Sequence, residues 1–210
     1  SVQRALAAQA SGAFKNEIAP VTIAGRKGDV VIDSDEQPGR CDIGKIGSLK
    51  PAFKKDGTIT AASSSSINDG AAATVMMREN DALARGLKPM ARVLGHATHA
   101  QEPGWFTTAP APSIAKLLKQ VGWSVADVDL FEVNEAFAVV AMAAMKELDI
   151  PHAKINVNGG ACALGHPIGA SGARLVVTLI HALQARGLKR GVASLCIGGG
   201  EATAIAIELV

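Results

Sequence analysis

Three residues carry groups able to move a proton or steady a negative charge, and glycine or a turn lies close to each. Cys196 stands in Ser194-Leu195-Cys196-Ile197-Gly198-Gly199-Gly200. Glycines after a thiol clear side chains from its surroundings, so a substrate can approach the backbone and free N–H groups can meet a developing oxyanion. The pattern also suits a buried, inert cysteine beside a tight hairpin. His166 lies in Gly165-His166-Pro167-Ile168-Gly169-Ala170-Ser171-Gly172, where Pro167 fixes the following backbone and the glycines permit a tight loop. A neutral imidazole there could donate a hydrogen bond or take a thiol proton near neutral pH, and a loop histidine bonded only to backbone accounts for the pattern as well. Asn134, in Asn134-Glu135-Ala136-Phe137, is either a helix N-cap or the holder of a water in a site.

Such groups act together only if the fold gathers them, and in α/β sheets ligands gather at the carboxyl ends of strands. Each of the three falls at such an end. Apolar runs predict strands over Val128–Val133, Ile155–Val157 and Val192–Cys196, which lead into Asn134, into the loop of His166 and onto Cys196. Helical spacing predicts helices over residues 1–14 and Ser113–Val121. Another begins at Asn134 with Phe137, Val140, Ala141, Ala144, Met145 and Leu148 on one face, and Ser171–Arg186 is closed by Gly187. Residues 18–23 and 30–33 read as a hairpin around Gly25-Arg26-Lys27-Gly28. Ala71–Met77 reads as a buried strand with Met76 and Met77 in the core, followed by a short helix through Ala84; Ala91–His99 and Ala202–Leu209 read as strands. The long stretch from Ser34 to Ser66, poor in periodicity, is of the kind that binds a ligand or is disordered. Strands alternating with helices, then a final hairpin, predict an α/β fold with a mixed sheet.

Composition narrows the function. The 210 residues are 48% hydrophobic and 19% charged with a net charge of +2, and no basic stripe points to nucleic acid or a membrane surface. No apolar run reaches the roughly 18 residues that span a bilayer, and no secretory pattern opens the chain, so a cytoplasmic location is expected. Three well-separated cysteines, Cys41, Cys162 and Cys196, fit a reducing compartment. Val2, Leu6 and Ala10 keep helical spacing from the outset, which reads as a chain that begins within a larger fold. Gly160 to Gly165 has phosphate-loop spacing, but His166-Pro167 stands where Lys-Ser or Lys-Thr is required. Cys162 and His166 lack a second pair of metal ligands, so no metal is expected, and His96, His99, His152 and His181 lack a supporting constellation.

Taken together, the blocks at Asn134, His166 and Cys196 resemble the three C-terminal signature blocks of the thiolase family, in the same order and separated by 32 and 30 residues. The resemblance extends over Asn156-Val157-Asn158-Gly159-Gly160 and Ser66-Ile67-Asn68-Asp69-Gly70. It implies a thiolase-like fold: a mixed sheet with helices on both faces, one half of a duplicated α-β-α-β-α architecture, plus a loop domain. Residues 1–67 would be most of the coenzyme A-binding loop domain, 68–88 a strand and helix of the N-terminal half, and 89–210 the C-terminal domain.

The roles implied are equally specific. Cys196 resembles the acid/base cysteine, His166 and a water held by Asn134 resemble the pair that steadies an enolate-like thioester oxygen, and the Gly198 N–H resembles part of a second oxyanion hole. Ser65, Phe53 and Phe137 would contact the pantetheine region and Arg40 the adenine and phosphate end. No permanently bound cofactor is implied: coenzyme A and acyl-CoA are substrates, and a homotetramer is the expected assembly. Cys41, Cys162 and Cys196 all lack the context of the acyl-accepting cysteine, so the chain alone is expected to be inactive and to need the N-terminal half as partner. The alternatives are a non-catalytic coenzyme A or lipid-carrier module, a nucleotide-binding domain lacking its lysine, and a decarboxylating ketoacyl synthase, which would place histidine at Asn134.

Overall fold

In the computed structural model, which describes residues 1–210, the chain opens with helix α1 (Val2–Ser11). Gly12 stops it in the left-handed conformation at φ 73°. A ribbon of β1 (Val21–Ile23) antiparallel to β2 (Val30–Ile32) follows, with every residue exposed. After α2 (Gln37–Arg40) and α3 (Glu79–Ala84) come β3 (Ala91–Ala100), α4 (Pro110–Val121), β4 (Leu130–Val133) and α5 (Ala138–Leu148). The chain ends with α6 (Ala161–Leu164), α7 (Ser171–Arg186), β5 (Arg190–Ile197) and β6 (Glu201–Leu209). No helix is long and apolar enough to cross a membrane.

The main sheet runs β3-β6-β5-β4; β6 is antiparallel to both neighbours, whereas β4 is parallel to β5. It is the mixed sheet expected from the alternation of elements. Successive side chains along a strand face opposite ways, so Val192 joins α4 and α5 while Ala193 joins α7. One core layer packs Ile114, Leu117 and Val140 on Phe131 and Val133, and the other packs Leu175, Leu179 and Leu183 on Leu130 and Ile207. The stripe of α7 at Leu175, Leu179, Ala182 and Leu183 keeps the i, i+4, i+7, i+8 spacing of a helix lying on a sheet. Gly191 lets that helix come close: a Cβ there would stand 2.8 Å from Leu179 Cγ.

Four expectations are corrected. Ala71–Met77 is extended but pairs with no strand, and Val75 and Met76 are exposed rather than core because nothing covers them. Met77, at 41% exposure, is not core either. Ile155–Val157 forms only a single bridge, Ile155 to Phe131, since Asn156 turns out of the strand at φ 46°. Asn134 caps no helix: α5 begins at Ala138, with Phe137 in the N-cap position. A short helix, α6, stands within what reads as a glycine-rich loop.

β4 is buried along its whole length, as a parallel strand covered on both faces must be, yet it contains a charge. Glu132 is 1% exposed, faces α7, and has Arg174 as its nearest cation at 3.7 Å. Burial pushes its carboxyl up to about 8, against the pull of Arg174. With the folded-state value raised above the unfolded value of 4.5, the unfolded chain releases this proton first as pH rises. Stability is therefore lost between about pH 4.5 and about 8 and is flat above. Glu132→Gln removes this linkage, so its melting temperature should gain on the wild type across that window; parallel melting curves from about pH 5 to about pH 8 would refute the assignment.

Candidate active site

The site starts from how β4 is terminated. Asn156 presents its carboxamide edge to Val133, accepting from Val133 N–H at 2.8 Å and donating to the Val133 carbonyl at 2.8 Å, as a neighbouring strand would. Asparagine tolerates the positive φ this requires. The same Nδ2 donates to Glu135 Oε1 at 3.1 Å, and Glu135 Oε2 accepts from Cys162 N–H at 3.1 Å. Gly160 must lack a side chain, because a Cβ would lie 2.5 Å from the Glu135 carboxyl carbon. Asn134 is thus held between two anchored residues, its N–H donating to Ser194 O of β5 at 2.9 Å and its side chain fully buried.

His166 meets it from the other side. Asn134 Nδ2 stands 3.3 Å from His166 Nε2, while Asn134 Oδ1 is buried with no partner in the protein. The other ring nitrogen, Nδ1, lies 2.6 Å from Ser171 Oγ in the first turn of α7. The backbone of His166 donates to Ser66 O at 2.9 Å, and Gly165, at φ 89°, leaves room for the Asn68 side chain that a Cβ would strike. Burial, with a smaller push from the Arg174 charge, lowers the imidazole pKa, so the ring is neutral at pH 7.

Cys196 closes β5 on the adjacent strand. Val133 pairs with Ser194, so the thiol residue lies just beyond Asn134 at the same carboxyl edge of the sheet, and Ala202 faces it across the hairpin. No hydrogen bond joins its sulfur to Asn134 or His166. Burial raises its pKa, so the resting state is the thiol. The glycines after it differ in kind. Gly199 would clash with Glu201 Oε2 at 2.6 Å and Gly200 has φ 95°, whereas a Cβ on Gly198 would meet nothing within 4 Å.

The long loop supplies a flank. Ser65 donates from both N–H (3.1 Å) and Oγ (3.0 Å) to Ala136 O, and Ser64 bridges to Phe137. Phe137 meets Phe53 and Phe106 edge to face, with ring centroids 6.1 and 6.5 Å apart. Phe53 is exposed and borders a cavity of about 290 Å³ with Lys54, Gly57, Thr58 and Ile59. Arg40 stands apart on α2, exposed and ion-paired with Glu36 at 2.8 Å. The structure therefore joins Asn134, His166, Ser65, Phe137 and Phe53, sets Cys196 and Gly198 one strand away, and leaves Arg40 outside. Sequence reasoning missed Ser171, Glu135 and Asn156 as positioning groups; the first two lie inside the blocks already singled out, and Asn156 opens the Asn-Val-Asn-Gly-Gly block. Such a set can donate hydrogen bonds to an oxygen and pass a proton from a thiol.

Comparison with known proteins shows the family. Residues 87–209 match the family described as "Thiolase, C-terminal domain", and residues 1–80 match "Thiolase, N-terminal domain". The chain belongs to the thiolase family. It is 54% identical over 209 residues to a probable acetyl-CoA acetyltransferase of Dictyostelium discoideum, covering 99% of this chain and 50% of that protein. Its fold overlays the crystal structure of the Bacillus anthracis acetyl-CoA acetyltransferase with a TM-score of 0.96 at 48% identity, covering all of this chain and 54% of that one. The Acat5 thiolase of Ascaris suum, solved in complex with coenzyme A, overlays with a TM-score of 0.88 at 43% identity, covering all of this chain and 53% of that one. The chain thus spans about half the length of the relatives it matches.

Because Asn156 stands in for a strand neighbour, Asn156→Ala orphans the Val133 N–H and carbonyl and one Glu135 oxygen. Chemical denaturation should register a loss of about 2–4 kcal/mol. A loss below about 0.5 kcal/mol would show that the clamp contributes nothing.

Proposed function

We propose that this chain carries the carbon–carbon bond-making and bond-breaking half of a thiolase: thiolysis of a 3-ketoacyl-CoA, or in reverse the Claisen condensation of acetyl-CoA. The observation that supports it most strongly is the Asn134–His166 contact of 3.3 Å, which joins two sequence blocks at the strand edge where Cys196 ends β5. In the thiolytic direction a thiolate attacks the 3-keto carbon and the bond between C2 and C3 breaks. The electron pair passes to C2 and is delocalised onto the thioester oxygen. His166, with a water held by Asn134, donates hydrogen bonds to that oxygen as it gains charge. The Cys196 thiol then protonates C2, releasing acetyl-CoA, and the acyl group left behind passes to coenzyme A. A thiol that rests protonated, as burial dictates here, starts this direction with its proton in place.

The backbone N–H of Gly198 faces the acyl-enzyme oxygen in this reading, and its bareness is not demanded by packing. Ser65, Phe53 and Phe137 flank the pantetheine arm, with Arg40 toward the phosphates. In this proposal the acyl-accepting thiol is supplied by the N-terminal half, because none of Cys41, Cys162 and Cys196 stands in the sequence context expected of it. A tetramer in the reducing cytoplasm goes with this proposal.

Deuterium uptake at Cα of acetyl-CoA by the chain paired with its complementing half tests it. Cys196→Ser should lower the uptake at least about 100-fold while coenzyme A affinity stays within about twofold. Coenzyme A binding without any uptake in the wild type would favour a carrier module, uptake unchanged by the substitution would take the base role from Cys196, and thiolysis of acetoacetyl-CoA by the isolated 210-residue chain would remove the need for a partner.

A further inference from the structure

Ser171 has no role in the chemistry above, yet it is fully buried and makes the shortest contact to the imidazole. Its Oγ stands 2.6 Å from His166 Nδ1 and 3.0 Å from the Pro167 carbonyl, and its single proton can go to only one of them. The Pro167 carbonyl already accepts the N–H groups of Ala170 and Ser171, each at 2.8 Å, so both of its lone pairs are engaged. Nδ1, with one lone pair and no other neighbour, is the better acceptor and the closer one.

We infer that Ser171 is a positioning residue that donates its hydroxyl proton to His166 Nδ1 and thereby holds the neutral ring with its own proton on Nε2, the nitrogen that faces Asn134.

The opposite side of the ring accommodates the same tautomer. The Asn134 carboxamide has one atom toward Nε2 at 3.3 Å and the other buried without a partner. Oxygen and nitrogen of a carboxamide are isosteric, and their assignment follows from the hydrogen bonds they make. With a proton on Nε2, the Asn134 carbonyl oxygen faces the ring and accepts it. The amino group then occupies the unpartnered position, where it is a donor available to a water or a thioester oxygen. An unused buried acceptor becomes a usable donor on Asn134, and the Nε2–H of His166, held to Asn134 only by a long 3.3 Å contact, turns to an enolate oxygen when one arrives. With the proton on Nδ1 the ring could only accept at Nε2, so His166 itself would offer no N–H to an anion. Arg174, which acts on the same ring through its charge, also favours the neutral form.

This inference rests on the proposed thiolase chemistry for its purpose but is read out independently of it. Nitrogen-15 spectra of the histidine-labelled chain distinguish a protonated Nε2 from a protonated Nδ1, with His166 assigned by its loss in His166→Asn. The wild type should show the Nε2–H form near pH 7.5, Ser171→Ala should show a substantial Nδ1–H population, and Ser171→Thr, which keeps the hydroxyl, should restore the wild-type pattern. An Nδ1–H wild type overturns the inference even if no variant folds, as does an alanine variant that keeps Nε2–H. In the reconstituted protein, acetyl-CoA deuterium uptake should fall about 10- to 100-fold in Ser171→Ala and recover in Ser171→Thr. Absence of uptake in the wild type would count against the proposed activity and leave the tautomer result standing.

Discussion

One buried carboxamide fixes the geometry of the site. Asn156 satisfies both backbone groups of Val133 from the side on which β4 has no hydrogen-bonded strand, so β4 stops there without leaving polar groups orphaned in the core. Everything beyond that point inherits the constraint. Glu135, tied to Asn156 through one oxygen and to the Cys162 N–H through the other, links the end of β4 to the glycine-rich loop that leads to His166. Glu135 is buried with a hydrogen bond accepted at each oxygen, and Gly160 is bare to make room for it. Residues 134 and 166 meet because this peg sets the distance between their segments.

Electrostatics then sets what the meeting groups can do. His166 is partly buried and lies near the Arg174 charge, and both influences keep it neutral. Glu132 stands 3.7 Å from the same Arg174, buried on β4, and Glu17 is likewise pushed up by burial, to about 7. The helix that supplies Leu175 and Leu179 to one core layer thus also carries, in its first turns, the hydroxyl and the guanidinium that govern the imidazole. Packing and proton placement are set by the same element, which is why a change in the seating of α7 would reach the chemistry.

How much of this was legible in the residues follows from range. Helices α4 and α7 and strands β3, β5 and β6 could be read because each carries its own periodicity, stop signals and length. Asn134 could not, because N-cap and buried ligand are the same residue type in the same place, and only the 3.3 Å contact with a histidine 32 residues away separates them. Ile155–Val157 looked like a strand since Ile and Val favour one, and the φ of 46° that undoes it belongs to the residue between them. Ala71–Met77 failed for a further reason: apolar sequence announces that a segment wants cover, but says nothing of whether the same chain provides it.

The triple glycine shows how structure separates necessity from opportunity. Gly200 takes a backbone conformation that disfavours a side chain and lies against the Gln101 carbonyl, whereas Gly199 faces only the end of the flexible Glu201 side chain, which can turn aside. The hairpin that turns β5 into β6 thus demands Gly200. Gly198 is under neither constraint: its φ is unremarkable and the space beside it is open. Open space beside a glycine recurs in this chain at Gly39, Gly47, Gly104, Gly169 and Gly172, so the space alone assigns Gly198 no function. What supports the proposed oxyanion contact is its place two residues after a buried thiol at a strand's carboxyl end, where bare backbone N–H is what an acyl oxygen would need.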